Sequence, residues 1–126
     1  MEHPLELSTV ESFREEVERS TVPTVVMFTT SWCPFCRRFK PKFLDAVAKN
    51  PDVRSAMVYI DDYNNPLWDE YRVEVVPTLA VFQSGRAVFR RDGVLGAGLR
   101  EADLEAVVAY TRSAQARAGS ASRPGG

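Results

Sequence analysis

The two cysteines of the chain are the residues whose type and spacing most clearly suggest chemistry. Cys33 and Cys36 are separated only by Pro34 and Phe35, and the sequence contains no other cysteine. Two thiols this close can cycle between a dithiol and a disulfide, because a thiolate attacks a disulfide bond and a second thiol then displaces the product. The spacing therefore predicts a redox-active pair.

The segments on either side of the pair indicate which thiol reacts first. Residues 24–29 are apolar and rich in β-branched side chains, as in a buried strand. An apolar stripe at helical spacing follows Cys36, and Pro34 suits a first helical turn because it has no N–H to leave unpaired. A thiol at the positive end of a helix favours its thiolate. We therefore expect Cys33 to be an exposed nucleophile at the helix N-cap, with Cys36 the shielded resolving thiol.

Three other roles for the two cysteines stay open at this point. A zinc site needs about four ligands, whereas the chain has one histidine, His3, and no second cysteine pair. A purely structural disulfide would close a very short loop and constrain the unfolded chain little. The third alternative is a pair of buried, inert thiols. The sequence favours the redox pair over these three and predicts no bound metal.

The remaining elements predict an α/β domain. The first is a helix over residues 9–19, which starts at the capping-box spacing of Ser8 and Glu11. The strand 24–29, a helix from Pro34 to about Asn50, a strand over 56–60 and a short helix from Pro66 to about Tyr71 follow. A hairpin of strands 78–83 and 86–90 and a helix over 100–112 complete the domain. This alternation implies a mixed sheet of four to five strands with helices on both faces.

Composition limits the possible partners and location. The 126 residues fit one domain, and 44% hydrophobic with 26% charged residues is typical of soluble globular proteins. A net charge of -1 argues against general nucleic-acid binding. The chain has no apolar run long enough for a membrane span and no secretory layout at its start, so we expect a cytoplasmic protein. We expect a monomer, because the domain is small and shows no obvious exposed apolar helix stripe. Residues 1–112 form the predicted domain, and the Ala-, Gly- and Ser-rich segment 113–126 is predicted to be a disordered tail.

Two short motifs resemble a known family. Trp32-Cys33-Pro34-Phe35-Cys36 after an apolar strand resembles the active site of thioredoxin-like proteins, and Val76-Pro77-Thr78 resembles their second signature, in which a cis proline faces the cysteines. Three further residues match family positions in a helix, after a strand and near the substrate groove: Pro41, Asp61 and Gly96. The resemblance covers about residues 8–112 and implies the thioredoxin-like fold.

This resemblance also implies a function. A member of the family would reduce protein disulfides through a Cys33–Cys36 disulfide cycle, would need no bound cofactor, and would receive electrons from a thioredoxin reductase or a small thiol. The substrate-binding residues expected from it are Trp32, Pro34, Phe35, Val76, Pro77 and Gly96. Because a proline cannot donate to a strand ladder, we expect the backbone of Val76 to pair with an extended substrate.

The sequence departs from the family at the positions that support proton transfer. Met27 stands where many thioredoxins carry a buried aspartate, and Met57 stands where a buried lysine is common. Replacing both members of such a pair with apolar residues avoids an unpaired buried charge. We therefore expect the proton of Cys36 to leave through water or another group. Pro34-Phe35 resembles the glutaredoxin pair, so a glutathione-dependent oxidoreductase and a thioredoxin-like binding module with little redox role remain alternative functions.

Overall fold

A computed structural model describes the backbone of residues 2–121 and the side chains of residues 2–117. Five strands form one sheet in the order β1-β3-β2-β4-β5. The strands are β1 (Leu5–Leu7), β2 (Thr24–Thr29), β3 (Arg54–Tyr59), β4 (Thr78–Gln83) and β5 (Arg86–Arg91). The first three run parallel to one another, while β4 is antiparallel to both β2 and β5. The predicted mixed α/β sheet is confirmed.

The helices lie between the strands and after the last of them, and the first helix begins with a side-chain cap. They are α1 (Val10–Phe13), which continues as a π-helical segment (Arg14–Glu18), α2 (Pro34–Lys49), α3 (Leu67–Glu70) and α4 (Glu101–Ala121). The hydroxyl of Thr9 accepts from the backbone N–H of Ser12 at 3.0 Å, and the Ser12 hydroxyl accepts from the Thr9 N–H at 3.3 Å. This capping box lies one residue later than predicted, because Ser12 rather than Glu11 supplies the reciprocal acceptor. None of the described helices is long and apolar enough to span a membrane.

Helices cover both faces of the sheet because successive strand side chains point to opposite sides. On one face, Phe13 from α1 and Leu67 from α3 pack with Phe28 of β2. On the other face, Phe43 of α2 packs with Met27, the neighbour of Phe28 in sequence. The central strand β2 is buried along its whole length. Three residues separate the end of this strand from Cys33, and helix α2 begins at the next residue, so the strand and the helix together position the cysteine pair.

Two sequence predictions are corrected by the structure. Strand β1 was not predicted, since its three residues are too few to show alternation and are held by pairing with β3. Helix α4 continues to Ala121 instead of ending at Arg112. Alanine favours helix, and Ala114 is buried at 2% exposure, so the segment has both the propensity and a surface to pack on. The predicted disorder of 113–126 is therefore wrong as far as Ala121, and 122–126 lie outside the described residues. The other predicted elements begin and end within about two residues of the observed bounds.

Candidate active site

Helix α2 begins directly beside the nucleophile candidate. Cys33 is its N-cap, with extended backbone angles of φ -88 and ψ 123, and Pro34 occupies the first helical turn. The backbone carbonyl of Cys33 accepts the first bond of the helix, from the N–H of Arg37 at 3.1 Å. The position at the helix start agrees with the sequence prediction. The Cys33 residue therefore lies at the end of α2 where the helix dipole is positive.

Cys33 is less accessible than the sequence led us to expect. It is only 7% exposed, against 2% for Cys36, so the expectation of an open nucleophile is corrected. Its Sγ donates to the backbone carbonyl of Val76 at 3.6 Å, and both residues belong to one buried cluster with Val73. The segment before β4 closes over the sulfur, a tertiary contact that local sequence does not reveal. Cys33 nevertheless remains the more accessible thiol of the pair.

The second signature motif lies against the first. The peptide bond between Val76 and Pro77 is cis, as the resemblance implies. Thr78 fixes the segment: its hydroxyl donates to the Val75 carbonyl at 2.6 Å and accepts from the backbone N–H of Gly93 at 3.2 Å. The Val76 backbone, which we expect to pair with an extended substrate, accepts a hydrogen bond from the Cys33 thiol at its carbonyl.

The resolving thiol lies in an apolar environment with two polar contacts. Burial raises the pKa of the Cys36 thiol, and the contact with Cys33 raises it further. Hydrogen bonds from the Thr29 hydroxyl and the Thr30 backbone N–H act in the opposite direction. Both thiols are free in this structure and belong to the same buried cluster. Within the described residues, no three His, Cys, Asp or Glu side chains are grouped to hold a metal ion.

A row of three aromatic rings, two of them exposed, begins next to the pair. We call Trp32, Tyr63 and Trp68 the aromatic row. The ring of Tyr63 lies 5.3 Å from that of Trp32 and 5.6 Å from that of Trp68, measured between centroids. Trp32 is 43% exposed and Tyr63 is 74% exposed, which makes them accessible to another protein. The sequence analysis missed Tyr63, because a single aromatic residue in a loop carries no periodic signal.

Asp61 fixes the loop that carries Trp32. Its carboxylate accepts from the backbone N–H of Ser31 at 3.0 Å and from the Ser31 hydroxyl. Its backbone carbonyl accepts from the Trp32 indole N–H at 3.1 Å. Asp61, one of the residues that match a family position, thus orients the residues just before Cys33. This role is structural, since the hydrogen bonds of Asp61 reach the loop residues Ser31 and Trp32.

Glycines other than the expected one lie close to the site. A Cβ atom on Gly93 would come within 2.3 Å of the Pro77 carbonyl oxygen, and one on Gly98 within 3.3 Å of the Phe35 ring. A Cβ on Gly96 would meet no heavy atom within 4 Å. The structure thus brings Gly93 and Gly98 against the motif residues, while a substrate-binding role for Gly96 stays a prediction. The half-buried Phe35 ring also carries the Arg38 guanidinium at 5.2 Å from its centroid.

Known proteins share this sequence and architecture. The family model described as Thioredoxin matches residues 4–109. A thioredoxin of Porphyra purpurea is 37% identical over 87 residues, which are 68% of this chain and 78% of that protein. Thioredoxin H3 of Arabidopsis thaliana is 33% identical over 102 residues, or 77% and 83% of the two chains. The structure of thioredoxin f2 of Chlamydomonas reinhardtii, at 23% identity, shows the same fold with a TM-score of 0.71 over 85% of this chain and 94% of that one.

The family match and the geometry agree on one class of chemistry. The matched region contains both the cysteine pair at the start of α2 and the cis proline beside it. The relatives favour disulfide reduction over a glutathione-dependent reaction or a binding module without redox chemistry. The chain therefore belongs to the thioredoxin family and is a thiol–disulfide oxidoreductase.

Proposed function

We propose that Cys33 is the nucleophile and Cys36 the resolving thiol of a cycle that reduces disulfide bonds in other proteins. The observation that carries this assignment is the difference in their positions. Cys33 caps α2 at the edge of the buried cluster, whereas Cys36 lies one turn further along and is more deeply buried. A substrate disulfide approaching from solvent therefore meets the Cys33 sulfur first.

The cycle consists of two exchange steps. The Cys33 thiolate attacks one substrate sulfur, the substrate disulfide breaks, and the other substrate sulfur leaves with the electron pair and takes up a proton. The Cys36 thiolate then attacks the Cys33 sulfur, and the remaining substrate sulfur leaves as a thiolate. The protein ends with a Cys33–Cys36 disulfide, and two electrons have passed to the substrate. No bound cofactor takes part in either step.

Substrate contacts in this proposal come from the apolar surface around the pair. Trp32 and Tyr63 of the aromatic row lie on one side, and Val94 and Leu95 are 61% and 86% exposed in the loop between β5 and α4. Aromatic residues commonly dominate the binding energy of protein interfaces. Five expected contact residues surround the sulfur atoms in the proposal: Trp32, Pro34, Phe35, Val76 and Pro77.

The oxidised pair must be reduced again by an electron donor. We assign this role to a reductase protein, with small thiols as the alternative donor. Support comes from a structural neighbour, the thioredoxin f2 in the crystal structure of a ferredoxin–thioredoxin reductase and thioredoxin f2 complex, which matches this chain with a TM-score of 0.74 at 22% identity. We place the protein in the cytoplasm, where thiols are kept reduced, and as a monomer.

A turnover assay tests the proposal. The wild-type protein is expected to accelerate reduction of insulin disulfides by dithiothreitol, and Cys33→Ser is expected to abolish that acceleration. Parallel assays with a thioredoxin reductase and with glutathione identify the donor. The proposal fails if the wild-type protein shows no acceleration, or if Cys33→Ser retains it.

A further inference from the structure

Helix α2 carries positive charges next to the cysteine pair that the protein does not neutralise. Its first turn contains no acidic residue, and four of its basic side chains form no ion pair with a described residue: Arg37, Arg38, Lys40 and Lys42. By contrast, six other basic side chains each have a carboxylate partner: Arg14, Lys49, Arg54, Arg90, Arg91 and Arg112. The charges beside the active site therefore remain available to an anionic group of another molecule.

Arg38 is held over a residue of the active-site motif. Its guanidinium carbon lies 5.2 Å from the centroid of the Phe35 ring, in a cation–π contact. A guanidinium that stacks on an aromatic ring keeps its N–H groups at its edge, where they can bind a carboxylate. The contact also limits the freedom of the side chain, so that less conformational entropy is lost when an anion binds.

A small recess opens beside Arg38, between α2 and the loop that joins β5 to α4. We call it the cationic recess. Phe35, Arg38 and Lys42 line it on the side of α2, and Ala97 and Gly98 line it on the side of the loop. Its volume of about 30 Å³ holds a group the size of roughly one to two water molecules, such as a carboxylate. Among the described residues, no acidic side chain lines it.

The loop side of the cationic recess is shaped by Gly98. A Cβ atom there would lie 3.3 Å from the Phe35 ring, and the φ of +75 is one that glycine adopts readily. Two backbone bonds close the loop: the Val94 N–H donates to the Gly98 carbonyl at 2.9 Å, and the Gly98 N–H donates to the Val94 carbonyl at 2.7 Å. The exposed side chains of Val94 and Leu95 therefore belong to the same tight turn as one wall of the recess.

We infer that the cationic recess is a specificity site, which binds the carboxylate of an Asp or Glu side chain in the protein whose disulfide Cys33 attacks. This inference rests on the proposed dithiol cycle. Charge complementarity carries it, because Arg38 and Lys42 present two positive charges with no carboxylate partner in the described chain. Since Phe35 lies between the two cysteines in sequence, the preferred substrates carry acidic residues close to the disulfide that is reduced.

The expected effect is one on the rate of association and on its dependence on salt. Charges at the rim of an interface mainly change how fast two molecules meet in the correct orientation. Salt screens such exposed charges over a distance of about 10 Å at 0.1 M ionic strength. A preference for acidic substrates that comes from the recess therefore decreases as the salt concentration rises.

The test uses two disulfide-linked peptides that differ only in carrying Glu or Gln on both sides of the cysteine. The rate at which the reduced protein reduces each peptide is divided by the rate of the same peptide with dithiothreitol. This division corrects for the effect of nearby carboxylates on the leaving thiol. The wild-type protein is expected to prefer the Glu peptide by about threefold or more at low ionic strength, which is the effect of one exposed ion pair.

A neighbouring cation on the same helix provides the matched control. Arg38→Glu is expected to abolish or reverse the preference for the Glu peptide, and Lys42→Glu to reduce it. Lys40→Glu makes the same change of charge, but Lys40 does not line the recess, so this variant should retain most of the preference. Arg38→Gln removes the charge without reversing it and serves as a second variant if Arg38→Glu does not fold.

Three results would overturn the inference. The wild-type protein could reduce both peptides at the same corrected rate, or the preference could persist in both Arg38 variants. Lys40→Glu could also lose as much of the preference as Arg38→Glu, which would indicate a general attraction by the helix instead of a site. These outcomes leave the dithiol cycle intact, because the wild-type protein still reduces the peptides. If it reduces neither peptide, the proposed cycle itself is wrong and the inference falls with it.

Discussion

The close approach of Gly93 to the cis-proline segment makes the substitution Gly93→Ala a sharp test of how the active site is held. A Cβ atom there would lie 2.3 Å from the Pro77 carbonyl oxygen and 3.2 Å from Cγ1 of Val75. Real Cβ atoms essentially never approach closer than 3.0 Å, so the backbone of Pro77 or Gly93 must move by about 0.7 Å. Overpacking of this kind costs roughly 1–3 kcal/mol of unfolding free energy.

The movement should also reduce activity, because the displaced segment holds the active site. Pro77 follows Val76, whose carbonyl accepts from the Cys33 thiol, and the Gly93 N–H donates to Thr78 in the same segment. Gly96→Ala is the matched control from the same loop. Its Cβ would meet nothing within 4 Å, but its φ of +80 strains an alanine, which costs roughly 1–2 kcal/mol. We therefore expect both variants to lose stability and Gly93→Ala to lose much more activity than Gly96→Ala.

Urea unfolding and insulin reduction, measured on both variants, separate the two effects. The expected pattern is a lower unfolding free energy for each variant, with disulfide reduction strongly impaired in Gly93→Ala and much less impaired in Gly96→Ala. The reasoning is refuted if Gly93→Ala keeps wild-type stability and activity. It is equally refuted if Gly96→Ala loses as much activity as Gly93→Ala while remaining folded.

Two further predictions concern the core and the buried thiol. Phe13 is fully buried, with ring centroids of Phe28 and Phe82 at 5.9 and 5.4 Å, so Phe13→Ala should lower the unfolding free energy by about 3–5 kcal/mol in urea titrations. A loss below about 1 kcal/mol would contradict this packing. Because burial raises the pKa of Cys36, the folded protein retains this proton more tightly than the unfolded chain. The thiol's contribution to stability is therefore complete below the ordinary thiol pKa and declines as the pH rises above it. The measurement is urea unfolding of the reduced wild type and of Cys36→Ala between pH 6 and 10. The unfolding free energy of the wild type relative to that of Cys36→Ala should fall as the pH rises, and a difference that does not change with pH would contradict the raised pKa of Cys36.

Local sequence signals predicted the elements that flank the pair. The β-branched run of β2 and the proline after Cys33 identified the strand-to-helix junction, because both depend on neighbouring residues only. The hairpin between β4 and β5 was predicted for the same reason. Its turn residues Ser84 and Gly85 both have positive φ, at 52° and 80°, which is the conformation that two-residue hairpin turns need.

Features that depend on tertiary contacts were beyond the reach of sequence reasoning. The burial of Cys33 comes from the segment around Val76, more than 40 residues away in the chain. The loop between β5 and α4 contains three glycines, and only their positions in the folded protein distinguish Gly93 and Gly98 from Gly96.

The most direct test of the assigned roles is a trapping experiment with the single-cysteine variants. Cys36→Ser and Cys33→Ser are each incubated with a protein disulfide substrate, and the adducts are located by peptide mass spectrometry. We expect Cys36→Ser to accumulate a stable mixed disulfide at Cys33, and Cys33→Ser to form little adduct because Cys36 is the more deeply buried thiol. A stable adduct that forms faster at Cys36 than at Cys33 would contradict it.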